Sequence, residues 1–142
     1  MLNGDGPSIF TRIINGELPC HKVYEDDLVF SFLDVNPMST GHTLVVPKEP
    51  AVTLDALSEE SAAAIGRVLP IISKAVLEVS GATEFNVLQN NGANAYQSVF
   101  HVHFHIIPKF KDGGGLSWPM STMPLDNEEG SQIAAKIRAV LG

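Results

Sequence analysis

Apolar and polar positions alternate most sharply between Gln97 and Pro108, where His101, His103 and His105 are separated by Val102 and Phe104 and followed by Ile106-Ile107. A period of two marks an extended chain, so the segment is predicted to be one strand. The three histidines then share one face, and Val102, Phe104 and Ile106 pack on the other. The rest of the pattern supplies the partners. Ile9, Phe10, Ile13 and Ile14 recur at helical spacing and stop at Asn15-Gly16, which gives a short helix near the N-terminus. Lys22 to Glu25 and Leu28 to Leu33 read as a hairpin turned at Asp26-Asp27, and the second strand runs out into Asp34-Val35-Asn36-Pro37. A third strand is predicted over His42 to Val46, and a fourth over Glu84 to Gln89, which feeds the histidine strand through the loop Asn90 to Tyr96. Between them Ser58-Glu59-Glu60 opens the longest helix and Gly81 closes it, with Ala62, Ile65, Leu69, Ile72, Val76 and Val79 along one face. Pro70 lies inside it and is expected to kink or split it. A final helix, capped by Asp126 or Asn127, carries Ile133, Ile137 and Leu141. The expected class is α+β, with about five strands, one long helix and one short one.

Composition narrows the function. A chain of 142 residues has room for one domain with a real core; the pattern divides it into a tail over 1–7, a domain over 8–110 and a C-terminal extension over 111–142. The formal charge is −7, and the nine lysines and arginines form no run, so a nucleic-acid groove is not expected and any anionic substrate must be held by local donors. The single cysteine, Cys20, excludes an internal disulfide. No apolar run reaches the length of a membrane span and the first residues lack the basic and apolar parts of a signal peptide, so no membrane partner is expected and cytoplasmic is the default location.

Three readings of the histidine face remain open from the residues themselves. Two imidazoles at i and i+2 can share a metal ion, although same-face residues stand about 7 Å apart and no Cys, Asp or Glu lies between them. A half-exposed strand could also carry histidine as an ordinary polar residue, where Thr, Lys, Glu and Ser are commoner. The third reading is catalysis by imidazole, which is nucleophilic when neutral and titrates near neutrality.

The run His101-Val102-His103-Phe104-His105-Ile106-Ile107 resembles the His-x-His-x-His-x-x signature of the histidine-triad family of nucleotide hydrolases and transferases. Further blocks are similar in the same order: Ile9-Phe10 with Ile13 to Pro19, Val23 to Asp27, Phe32 to Pro37, and Gly41 to Lys48. The resemblance implies a sheet continuous across a homodimer, and His103 as a nucleophile toward the α-phosphorus of a purine nucleoside phosphoramidate, forming a nucleotidyl-histidine intermediate. It implies that His105 donates to a phosphate oxygen or the departing group, with His101 and His42 in support. Asp34 would accept from the ribose hydroxyls, Ile9, Phe10, Ile13, Phe32 and Val35 would wall the base pocket, and Asn90, Gln97 and Ser98 would make polar contacts to sugar, phosphate and leaving group. Histidine rather than glutamine at position 105 resembles the hydrolase branches. Cleavage of dinucleoside polyphosphates, or nucleotide binding with little turnover in a regulatory protein, are the alternatives. Zinc-bearing members carry Cys-x-x-Cys where this chain has Ser8 and Thr11, so neither zinc nor another cofactor is expected. Trp118, in the C-terminal extension, is expected near the leaving-group side.

Overall fold

The computed structural model of the chain describes residues 6–117 and 121–142; Trp118 lies outside them. Helix α1 spans Ile9–Ile14, β1 Lys22–Glu25, β2 Val29–Leu33, β3 Thr43–Pro47, α2 Glu59–Ser80, β4 Glu84–Gln89, β5 Phe104–Lys109 and α3 Asn127–Leu141. The five strands form one antiparallel sheet in the order β1-β2-β3-β5-β4. Thus β1 to β3 form a meander, and β5 is inserted between β3 and β4. At the first turn Asp26 Oδ1 accepts from the Leu28 and Val29 N–H groups at 2.9 and 2.8 Å, which folds the chain back into β2.

Strand alternation divides the sheet into two faces with different tasks. Val29, Val45 and Ile106 pack with Ala64, Ile65, Val68, Ile72 and Val76 of α2. On the other face Phe30, Phe32, Leu44 and Val46 pack with Phe10 of α1. The register aligns Phe32 with Leu44 and Leu44 with His105. By period two, Asp34 continues the row of Phe30 and Phe32, His42 that of Leu44 and Val46, and His101 and His103 that of His105. One face therefore gathers every histidine of interest.

Four expectations about the elements are corrected. The histidine strand is shorter than predicted: Phe104, opposite Val45 and Gln89, is the first paired residue. Before it the ladder is replaced by other bonds, since the Val102 N–H donates to the Ala51 carbonyl at 2.8 Å and the Pro47 carbonyl takes the His101 ring nitrogen. Alternation persists there without strand pairing. Pro70 does not split α2, which is continuous from Glu59 to Ser80; both Pro70 and Gly66, whose carbonyl loses its partner, are exposed and open to water. Its buried stripe includes Ser61, whose hydroxyl donates to Glu49 Oε1 at 2.8 Å, and excludes Ala62 and Val79. Finally, α3 is capped by Asp126, which accepts from the Glu129 N–H at 3.0 Å, but Ile133, Ile137 and Leu141 all stay exposed.

Past β5 the chain turns back closely at Gly115, where φ is +113° and a Cβ would stand 2.5 Å from the Pro108 carbonyl oxygen. Gly115→Ala is expected to cost about 2 kcal/mol or more, from backbone strain with the clash added. Equilibrium urea unfolding checks it; an unchanged midpoint would contradict this packing.

Candidate active site

Each imidazole is held by partners that dictate which nitrogen carries its proton. His103 Nδ1 lies 2.7 Å from the His101 backbone carbonyl. A carbonyl only accepts, so Nδ1 donates and Nε2 keeps a lone pair. His42 Nδ1 lies 3.0 Å from the Met38 N–H, which only donates. His42 therefore protonates Nε2, which stands 2.9 Å from His105 Nδ1 and 3.5 Å from Asp34 Oδ2. His105 Nδ1 accepts that proton, which leaves its own Nε2–H as a donor. The rings of His103 and His105 lie 4.9 Å apart, centroid to centroid, closer than the backbone spacing of about 7 Å. One lone pair and one N–H are thus fixed side by side.

Burial keeps the four rings neutral at pH 7. It is the largest cause of lowered pKa for His42, His101 and His103, opposed at His42 by the Asp34 carboxylate and at His101 and His103 by hydrogen bonds to backbone carbonyls. His105 is pushed down to about 4, by burial first and then by His103 and His42. Unfolded histidines take up protons near pH 6.5, whereas these do so at lower pH. Between the two, the unfolded state binds more protons, so stability falls as pH falls, by about 1.4 kcal/mol per pH unit for each proton of difference. The melting temperature is expected to drop from pH 7 to pH 4.5, and His105→Gln to flatten that slope. A slope unaltered in the variant would contradict the lowered value at His105.

A metal fits this donor set poorly. One ligand atom each from Asp34, His42 and His105 lies within 4.8 Å of the others, but His42 Nε2 carries a proton and can offer a lone pair only if Nδ1 abandons the Met38 N–H. Nor do Ser8 and Thr11 supply thiolates. Their hydroxyls approach His101 Nδ1, at 2.9 and 3.4 Å.

The remaining sequence-derived residues divide by position. Phe10 is buried, with its ring edge-on to His103 at 5.0 Å and Phe32 at 5.4 Å. Phe32 is only 4% exposed and therefore backs the aromatic wall. Ile13 packs half-buried against the same cluster, and Ile9 is exposed beside it. Asp34 accepts from the Asn36 N–H through Oδ1 at 2.8 Å. Val35 projects from the loop at 76% exposure. Gln97 is buried and committed to the loop: Oε1 accepts from the Gly92 N–H, while Nε2 donates to the Val52 and Val99 carbonyls. Asn90 is half-buried, 3.4 Å from the Tyr96 carbonyl, and Ser98 is exposed. The Met38 N–H and the Pro47 carbonyl were not foreseen from sequence. Their role is set by pairing with distant rings, for which a backbone group gives no sequence signal.

An antiparallel α+β sheet that presents four neutral imidazoles and a carboxylate on one face, beneath a short helix, defines a histidine-triad site. The chain belongs to the HIT domain family, whose model matches residues 15–112. It is 46% identical over 136 residues, covering 92% of this chain and 98% of the relative, to the adenosine 5′-monophosphoramidase hnt1 of Schizosaccharomyces pombe. It is also 46% identical over 101 residues to the adenylylsulfatase HINT3 of Arabidopsis thaliana, covering 71% of this chain and 51% of that protein. The crystal structure of a HIT family protein from Bacillus anthracis superposes with a TM-score of 0.91 at 37% identity, covering 97% of this chain and 99% of that one.

Proposed function

We propose that the chain is a hydrolase that cleaves purine nucleoside phosphoramidates at the α-phosphate through a nucleotidyl-histidine intermediate. The observation that carries this reading is the pairing of a fixed His103 Nε2 lone pair with a fixed His105 N–H donor. The Nε2 lone pair forms a bond to phosphorus while the P–N bond breaks; its electron pair leaves with the amine, which takes a proton from solvent water. Water then attacks the same phosphorus, the His103–phosphorus bond breaks, and a nucleoside monophosphate and a proton are released. Neutral His105 serves as a hydrogen-bond donor to a phosphate oxygen. Asp34 has acceptor capacity for ribose hydroxyls, and Phe10 with Ile9 and Ile13 offers an apolar wall to the base. No metal or cofactor enters the scheme.

The activity named for the fission-yeast relative supports the phosphoramidate as first substrate, and that of the plant relative supports adenylyl sulfate as second. Rates measured side by side on adenosine 5′-phosphoramidate, adenylyl sulfate and a diadenosine polyphosphate test the order. Fastest release of adenosine monophosphate from the phosphoramidate is expected, and a clear preference for the dinucleotide would overturn it. Binding without release from any of the three would favour a regulatory, nucleotide-binding role.

The same reading includes a homodimer. β4 is an edge strand with Phe85 and Val87 exposed, and Ile71 and Val79 of α2 are exposed as well, which supplies apolar area for a second copy. Light scattering at micromolar concentration decides between one chain and two.

A further inference from the structure

We infer that the Ser8 hydroxyl is a positioning residue for the nucleophile, acting through His101. This rests on the nucleophilic role proposed for His103. His101 is wholly buried, and its Nε2 lies 2.8 Å from the Pro47 carbonyl, an acceptor only. Nε2 therefore carries the proton and Nδ1 presents a lone pair. Ser8 Oγ stands 2.9 Å from that lone pair while accepting from the Thr11 N–H at 3.0 Å. The hydroxyl's one proton goes to His101 and its lone pair caps α1. The first histidine is thereby clamped between a donor from α1 and an acceptor from β3, and its own carbonyl is what orients His103 at 2.7 Å. Phe10, two residues after Ser8, sets its ring against both His101 and His103, at 6.0 and 5.0 Å. One hydroxyl thus ties the helix carrying the aromatic wall to the peptide that aims the attacking nitrogen. Thr11 Oγ1, at 3.4 Å from the same nitrogen and 3.3 Å from Ser8 Oγ, is a secondary partner.

Capping and clamping make different demands on position 8. Aspartate caps a helix as well as serine does but brings no proton for His101; its carboxylate draws one onto Nδ1 instead. Threonine both caps and donates. If Ser8 clamps His101, Ser8→Ala and Ser8→Asp lower kcat by about tenfold or more with KM changed less, because small displacements of a nucleophile act on the chemical step. Ser8→Thr returns kcat to within about twofold. If Ser8 only caps α1, Ser8→Asp leaves kcat unaltered, which would overturn the inference, as would an effect confined to KM. A second measurement needs neither turnover nor a variant: 15N NMR of the histidine rings in substrate-free protein. The expected His101 pattern is protonated Nε2 with hydrogen-bonded, unprotonated Nδ1; a proton on Nδ1 would overturn the clamp. A correct ring pattern without nucleotide turnover would count against the proposed activity and leave the hydrogen bond standing.

Discussion

His103→Ala is expected to abolish turnover, by about a thousandfold or more, while nucleotide affinity changes by only a few fold. The size follows from the role. A residue that forms the covalent bond cannot be replaced by a neighbour, so its removal falls on kcat, and deleting such a group elsewhere costs more than any single binding contact. No other ring can take over. His101 Nε2 is spent on the Pro47 carbonyl, and His105 and His42 keep their exchangeable protons where a lone pair is required. With the binding roles proposed for Asp34 and the wall around Phe10, nucleotide affinity is retained because neither is altered. Equilibrium titration with adenosine monophosphate, beside steady-state kinetics, separates the two parameters. A variant that keeps more than a few per cent of wild-type kcat would remove His103 from the role of nucleophile.

The second large effect is expected at His105. Its Nε2–H is a donor that needs no reorganisation during the reaction, because the Met38 N–H fixes His42 and His42 fixes His105. Losing one such preorganised donor costs about 10²–10³ in kcat, which is the loss expected for His105→Ala. His105→Gln, which offers an amide N–H, recovers part of it. His42→Ala leaves the donor in place but frees its ring, so a smaller loss is expected. The order is the test. If His42→Ala proved more damaging than His105→Ala, the relay as drawn would be wrong.

Much of this arrangement can be traced in the chain itself, and its limits have physical causes. Period two placed His101, His103 and His105 on one face, and the rings gather there although the chain bends through Val99 to His101: Phe10 lies against both His101 and His103, and the His103 and His105 rings are 4.9 Å apart. The predicted strand was too long because pairing depends on what lies alongside, and the Pro47 carbonyl was taken by an imidazole. His42 and Asp34 were ordinary strand-end residues until resemblance singled them out; parity explains their place only once β2, β3 and β5 are known to be neighbours. Ser8 drew notice in the sequence only as a hydroxyl standing where zinc-bearing members carry a thiolate; neither its cap on α1 nor its bond to a ring 93 residues away was foreseen. Gln97, read as a contact to substrate, shows the opposite case: a buried amide whose bonds organise its own loop.

The most direct test of the central claim is peptide mass spectrometry of wild-type protein quenched during turnover of an adenosine phosphoramidate. Adenosine monophosphate bonded to His103, present in the steady state and lost as substrate runs out, is the expected result. Turnover in which no nucleotide is ever attached, or attachment at His101 or His105 instead, would contradict it.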